Sequence, residues 1–311
     1  MLAAFLIGFG TTAHAQEKYP TRPIRLLVPF PAGGPVDVMG RLIAQRLSST
    51  IGQQVILENR PGAGSTLAAR AAAGADPDGY TLLVASAASL AIGPALYNNI
   101  GYDPATSFAP IAMVSSVPYV MIAGPSVSAR TLPDLIAYAK ANPGKLNVGV
   151  PNGAPPHMIA AWFRSATRTD IVIVPYKGAS NVITDLMGGQ IDLGFETTSV
   201  TFGHVYEGKV KALGVATQAR LQELPDVPTM IESGLPDFIA SSWTGIVAPA
   251  GTPKDIIGRL NAALKSPELQ DRFKKLAAEA NPGTPEDFAA FIVREVPKWQ
   301  AMAKLAGVKG E

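Results

Sequence analysis

The chain has no cysteine, which excludes disulfides, zinc–thiolate centres and thiol nucleophiles at once. Charge is scarce as well. Only 16% of the 311 residues are Asp, Glu, Lys or Arg, and the formal net charge is +2. That balance gives no electrostatic case for nucleic acid as a partner. Beyond the first residues no stretch approaches the ~20 uninterrupted apolar residues of a transmembrane helix. The GxSxG elbow, the HExxH pair and the GxxxxGK[ST] phosphate loop are all missing. No metal or cofactor is expected, and no internal repeat stands out.

What is present suits a soluble α/β protein: 47% hydrophobic residues, with 27 prolines and 30 glycines spread along the chain as connections. The length is enough for two domains, each with its own core. Met1 to Gly10 is apolar and is followed by Ala13-His14-Ala15, a small-x-small cleavage pattern. Residues 1–15 therefore read as the remnant of a secretory signal, with a mature chain beginning near Gln16. A basic n-region is missing before Leu2, so the true start is expected upstream.

Apolar patterning predicts strands at Ile24–Val28, Val55–Glu58, Tyr80–Ala85, Leu146–Val150, Ile171–Val174, Ile191–Phe195 and Val210–Ala216. Ala109–Ala123 reads as two short strands separated near Val117-Pro118. Helices fall between them, and the last third, from Pro253, is mostly helical with proline at three successive starts. Alternation of this kind indicates parallel sheets covered on both faces.

The most informative stretch is Phe30-Pro31-Ala32-Gly33-Gly34-Pro35-Val36-Asp37, where the first strand turns into a helix. Pro35 suits the first helical position, where its missing N–H would be unpaired anyway. A glycine pair here leaves backbone N–H groups uncovered beside the positive end of a helix dipole, a place to hold an anion. Gly33 and Gly34 suit a plain tight turn equally well. A second junction, Gly149-Val150-Pro151-Asn152-Gly153, leads into a helix bearing His157, and Ser86-Ala87-Ala88-Ser89 follows the third strand. In open α/β sheets ligands settle beyond the carboxyl ends of strands, and all three loops lie there. No Lys or Arg accompanies either glycine loop, which favours a small acid over a phosphate.

Several runs resemble one family. They are Tyr19-Pro20, Pro23-Ile24-Arg25-Leu26, Val28 to Asp37, Glu58-Asn59-Arg60-Pro61-Gly62-Ala63-Gly64, Pro77-Asp78-Gly79-Tyr80 and Val174-Pro175-Tyr176-Lys177-Gly178. Further on come Asp185-Leu186-Met187-Gly188-Gly189-Gln190, Leu224-Pro225-Asp226-Val227-Pro228-Thr229 and Ala248-Pro249-Ala250-Gly251-Thr252-Pro253. In order and spacing they resemble the Bug-type periplasmic receptors of tripartite tricarboxylate transporters across nearly the whole mature chain.

The resemblance implies an α/β, type II periplasmic-binding-protein (Venus-flytrap) fold with two lobes and a two-segment hinge. Mapped here, residues 16–123 plus 247–311 form lobe 1 and residues 124–246 form lobe 2. It further implies a periplasmic, monomeric receptor whose loop amides and ordered waters hold a small organic carboxylate for the large and small membrane subunits of the transporter. The matching positions are Phe30, Pro31, Ala32, Gly33 and Gly34, then Ser86 and Ala87, then Gly149, Val150, Asn152 and Gly153. The chain departs from the family at the second loop, which is shorter and lacks a hydroxyl. Val150 there cannot donate a hydrogen bond, so altered anchoring or a ligand with an apolar body is expected. Glu196 stands where the family commonly has Asp, extending an acidic wall into the cleft. Ser65 replaces the second glycine of a Gly-Gly pair, an exchange expected to leave binding unchanged.

Other side chains have two readings each. Asp37 supports the first loop or is simply a favourable acid in a helix's first turn. His157 donates to a ligand or bonds local backbone. Tyr176 and Lys177 face the cleft, with Lys177 an ion partner or a solvated lysine. Glu196, Thr197 and Thr198 touch the ligand, or Thr198 serves as a helix N-cap. Trp243 packs at the hinge or stacks on a ligand. Three functions fit: a transport receptor, a sensor subunit for a histidine kinase, and an enzyme. The last is the weakest, since nothing pairs Ser86 with Lys177.

Overall fold

Strand and helix alternate as the apolar pattern requires in the computed structural model, which describes residues 19–33, 35–97, 99–275 and 283–307. The expected leader (1–15), Gly34 and the end of the helix anticipated to reach Ala278 lie outside the described residues. The first lobe opens with β1 (Ile24–Val28), α1 (Pro35–Ile51), β2 (Val55–Asn59), α2 (Thr66–Ala73) and β3 (Thr81–Ser86). A π-helical turn (Ala88–Ile92) and the short α3 (Gly93–Leu96) lead to β4 (Phe108–Ala123). The second lobe continues with α4 (Leu132–Ala141), β5 (Asn147–Pro151), α5 (Pro155–Thr167) and β6 (Val172–Tyr176). It then adds α6 (Ala179–Met187), β7 (Leu193–Thr197), α7 (Thr198–Tyr206) and β8 (Lys211–Val215). The chain returns through β9 (Ser241–Pro249) and ends in α8 (Lys254–Leu264), α9 (Pro267–Lys275) and α10 (Pro285–Ala306).

Strand order is β2-β1-β3-β9-β4 in one sheet and β4-β7-β5-β6 in the other, with β8 also paired to β4. The sequence pattern predicted parallel sheets; the structure is mixed. β9 runs antiparallel to β3 and β4, and β4 runs antiparallel to β7 and β8. The reason is topological: a chain that crosses between two sheets and comes back supplies two oppositely directed strands. β4 is likewise one strand rather than two. It pairs with β9 through Pro118 and with β7 from Tyr119 onward. Pro118 suits extended backbone, and its missing N–H falls where one ladder hands over to the next. The returning strand crosses at the same level, since the Tyr119 N–H donates to the Ala240 carbonyl at 3.1 Å.

Each sheet is covered on both faces. Met39, Ile43 and Leu47 of α1 bury against Leu26, Val28, Leu82 and Val84, each large side chain contributing roughly 1.5–3 kcal/mol of transfer free energy. Gly40 lets α1 approach closely, because a Cβ there would stand 3.0 Å from Leu57 Cδ1 and 3.1 Å from Val28 Cγ2. In lobe 2, Val182, Ile183 and Leu186 cover one face beside Val120 and Ile122. The opposite face shares a continuous cluster with lobe 1: Leu83 and Ala85, then Trp243, Ile292 and Trp299, then Ile159 and Phe163. Helix α10 supplies the middle of that cluster and so straps both lobes from behind. Among the described residues no helix is long and apolar enough to cross a membrane.

Candidate ligand site between the lobes

Register alone decides where the candidate loops lie. In lobe 2, Tyr119, the first β4 residue of that sheet, pairs with Thr197, the last residue of β7. The exit of β7 is therefore at the hinge end, and β5 and β6, parallel to it in sequence of neighbours, exit on the same side. In lobe 1, Ser86 at the exit of β3 pairs with Thr244, near the hinge-side start of β9. β1 and β2 run parallel to β3 and exit there too. All the loops singled out by sequence thus lie at the hinge-side ends of their sheets.

The first loop is held by Asp37. Its carboxylate is only 2% exposed. It accepts the Gly33 N–H at 2.9 Å, Arg41 Nε at 2.8 Å and Asn59 Nδ2 at 2.9 Å. Asn59 Nδ2 also donates to the Phe30 carbonyl at 3.0 Å, closing the turn on itself. These donors, the Arg41 guanidinium foremost, hold the Asp37 pKa down at about 2. Gly33 has a φ of +85°, a left-handed conformation that glycine alone adopts without strain. Phe30 is half-buried, while Pro31, Ala32 and Gly33 are exposed. Asp37 supports the loop, as one of its two readings held, and the Gly33 N–H is already engaged by it.

One residue near this loop corrects the sequence reading. Arg41 stands one turn beyond the glycines, so a basic group does accompany them, neutralised by Asp37. Ser65 has a local structural part: it is buried with a φ of +74°, and its Oγ donates to the Pro29 carbonyl at 3.3 Å. The family's glycine at this place has a conformational reason, which the serine offsets with a tether to the β1 exit. Arg41 was legible as an i+4 partner of Asp37; Asn59 was not, because only the β1–β2 pairing brings it close.

At the β3 exit Ser86 and Ala87 are buried. The Ser86 N–H donates to Ser89 Oγ at 3.0 Å, but Ser86 Oγ is buried with no hydrogen-bond partner among the described residues. Ser86 and the exposed Lys177 are accordingly not paired.

The second-lobe loop repeats the device of the first with a different acceptor. Gly153 has a φ of +67°, and its N–H reaches His157 Nδ1 at 3.4 Å, just as Gly33 reaches the side chain four residues on. His157 therefore takes its local-backbone reading, as an acceptor. Burial, then the nearby Arg164, lower its pKa and favour the neutral ring that can accept. Asn152 is exposed, with its N–H donated to the Tyr176 carbonyl at 2.9 Å. Gly149 is required by packing, since a Cβ would lie 2.2 Å from Ile191 Cδ1. Val150 is 0% exposed within the core. Its side chain has no surface to offer, and the apolar ligand body inferred from it loses its basis: strand alternation turns Val150 onto the α5 face.

Tyr176 is half-buried and donates its hydroxyl to Asp185 Oδ2 at 2.8 Å. Thr197 occupies the N-cap position of α7, so Thr198, buried, is the first helical residue rather than the cap. Glu196 is 4% exposed, and its Oε1 has no partner among the described residues. Burial raises its pKa to about 7, opposed only by the Thr197 backbone N–H. A carboxyl with a folded-state pKa above its unfolded value holds a proton that the unfolded chain has lost. Stability is therefore expected to fall as pH rises from about 4.5 to 7, by about 3 kcal/mol. Denaturant titrations across this range should show the slope in the wild type and its loss in Glu196→Gln. Trp243 packs edge-on against Phe288 and Phe291, with centroids 5.9 and 5.5 Å away, which is the hinge reading.

A two-lobe α/β protein with its glycine loops at the hinge-side strand ends has the architecture of a solute-binding protein. The chain belongs to the tripartite tricarboxylate transporter family receptors, whose family description it matches over residues 39–308. It is 36% identical over 316 residues to protein BugT of Bordetella pertussis, covering 99% of this chain and 97% of that protein. Among solved structures it is similar to the periplasmic binding protein BugD, at 38% identity and TM-score 0.71, covering 94% of this chain and 100% of that one. An R. palustris protein solved with adipate is 33% identical, with TM-score 0.75 over 94% of this chain and 99% of that one.

Proposed function

We propose that this protein is an extracytoplasmic receptor that closes its two lobes on a small organic carboxylate and delivers it to the membrane subunits of a tripartite transporter. The observation that carries the reading is the convergence of every parallel-strand exit, in both lobes, on the hinge side. Family membership supports a permease as partner over a sensor kinase, and binding over catalysis. We place the hinge at Pro118–Tyr119, where β4 passes from β9 to β7, and at Ala240–Ser241, where β9 begins, a few residues ahead of the division into residues 16–123 plus 247–311 and 124–246. Ligand binds the closed form better than the open one and so shifts that equilibrium. Loop residues 30–34, Ser86, Ala87 and Asn152–Gly153 form the anchor, with Tyr176, Lys177, Glu196 and Thr197 around it.

A thermal-shift screen over a carboxylic acid library tests this. A binder at 100 times its Kd adds about 2.7 kcal/mol to apparent stability, a readily measured rise in melting temperature. Gly33→Val forces a β-branched residue to a φ of +85° and is expected to abolish the response while circular dichroism stays native. An unchanged Kd in that variant moves the site elsewhere; no shift with any acid rejects the carboxylate.

A further inference from the structure

Two buried side-chain atoms at strand exits lack hydrogen-bond partners, one in each lobe: Ser86 Oγ at the end of β3 and Glu196 Oε1 near the end of β7. Both exits lie on the hinge side, as the pairings Ser86–Thr244 and Glu196–Val120 require. An unsatisfied buried polar group costs about 1–3 kcal/mol, so each such atom calls for a reason. The two differ in what they can offer. A serine hydroxyl can donate to a carboxylate; the free oxygen of a carboxyl group accepts.

Resting on the receptor reading above, we infer that Glu196 is a specificity-determining residue: the ligand carries, besides its carboxylate, a hydrogen-bond donor (a hydroxyl or an ammonium) that Glu196 Oε1 accepts. The carboxylate end then lies toward Ser86 and the first loop, and the donor end toward lobe 2. Electrostatics argue for this polarity. Among the described residues no cation acts on the Glu196 carboxyl, only its burial and the Thr197 N–H, and Tyr119 beside it is itself buried. Above about pH 7, where the Glu196 carboxyl is ionised, a second ligand carboxylate there would set two negative charges together in a poorly screened site. A donor satisfies the free oxygen, and an ammonium also supplies the missing countercharge.

The test is isothermal calorimetry at a pH above 7, where Glu196 is ionised, with matched acids: succinate, malate and aspartate, then glutarate, 2-hydroxyglutarate and glutamate. A donor-bearing member is expected to bind at least tenfold tighter than its unsubstituted parent, and Glu196→Leu should erase that preference. Glu196→Gln separates the sources, because an amide oxygen still accepts from a hydroxyl but no longer neutralises an ammonium. Retained preference in the Gln variant marks a hydroxy acid, and lost preference an amino acid. Should the Leu variant fail to fold by circular dichroism, the wild-type preference and the Gln variant decide. Equal or tighter binding of the unsubstituted acids, or a preference surviving Glu196→Leu, overturns the role of Glu196 while leaving the receptor reading standing. Failure of the wild type to bind any of these acids overturns the role of Glu196, while the receptor reading stands or falls with the library screen.

Discussion

Asp37→Ala is expected to cost about 2–3 kcal/mol of stability and to weaken ligand binding at least tenfold. The carboxylate is buried and is the common acceptor for the Gly33 N–H, Arg41 and Asn59. Removing it leaves donors without their partner, a loss that reaches 3–5 kcal/mol when both members of a pair are buried. Arg41 is more than half exposed, so water takes up part of its charge and the loss falls toward the lower figure. Binding suffers because nothing else fixes the left-handed Gly33. Asp37→Asn separates charge from shape: it keeps an acceptor but not the attraction to Arg41. The sign of the pH effect follows from the lowered pKa, about 2 against an ordinary 3.8. The ionised form is favoured by folding, so its contribution is complete above about pH 4 and disappears as pH falls toward 2. Denaturant titrations should show wild type and Asp37→Asn converging as the pH is lowered through that window. A constant difference down to pH 2 contradicts the ion-pair account.

Gly245→Val should be the most damaging substitution away from the site. A Cβ at Gly245 would fall 2.1 Å from Phe288 Cζ and 2.5 Å from Cε1. Phe288 is 1% exposed and meets Trp243 edge-on with centroids 5.9 Å apart, so the ring has nowhere to move. Overpacking of this kind costs about 3 kcal/mol, a melting-temperature drop on the order of 5 °C. Since α10 also packs against lobe 2 through Trp299, its displacement loosens the strap behind the hinge. The double variant Gly245→Val with Phe288→Ala should recover part of the loss, and the absence of any recovery contradicts this origin of the clash.

The loops were legible in the chain itself because their chemistry is local. Asp37 four residues beyond Gly33 and His157 four residues beyond Gly153 are spacings that one helical turn converts into contacts. Strand positions from β1 to β8 followed from apolar patterning for the same reason. β9 escaped that reading. Its nine residues have an almost continuous buried pattern with no alternation to reveal a strand. Val150 was misplaced because a loop motif says which residues adjoin a site, not which face of the strand each side chain takes.

Local sequence, then, determined the elements, the turns and the self-contained latches that shape each loop, because interactions across one helical turn need nothing from the rest of the chain. Only the tertiary structure decided that the strand exits of both lobes lie on the hinge side. It also decided that Asn59 joins Asp37, and that Ser86 and Glu196 are buried with atoms to spare. Those outcomes depend on strand register and on burial between segments far apart in sequence, where the free energy of a side chain is set by neighbours that no short stretch of residues contains.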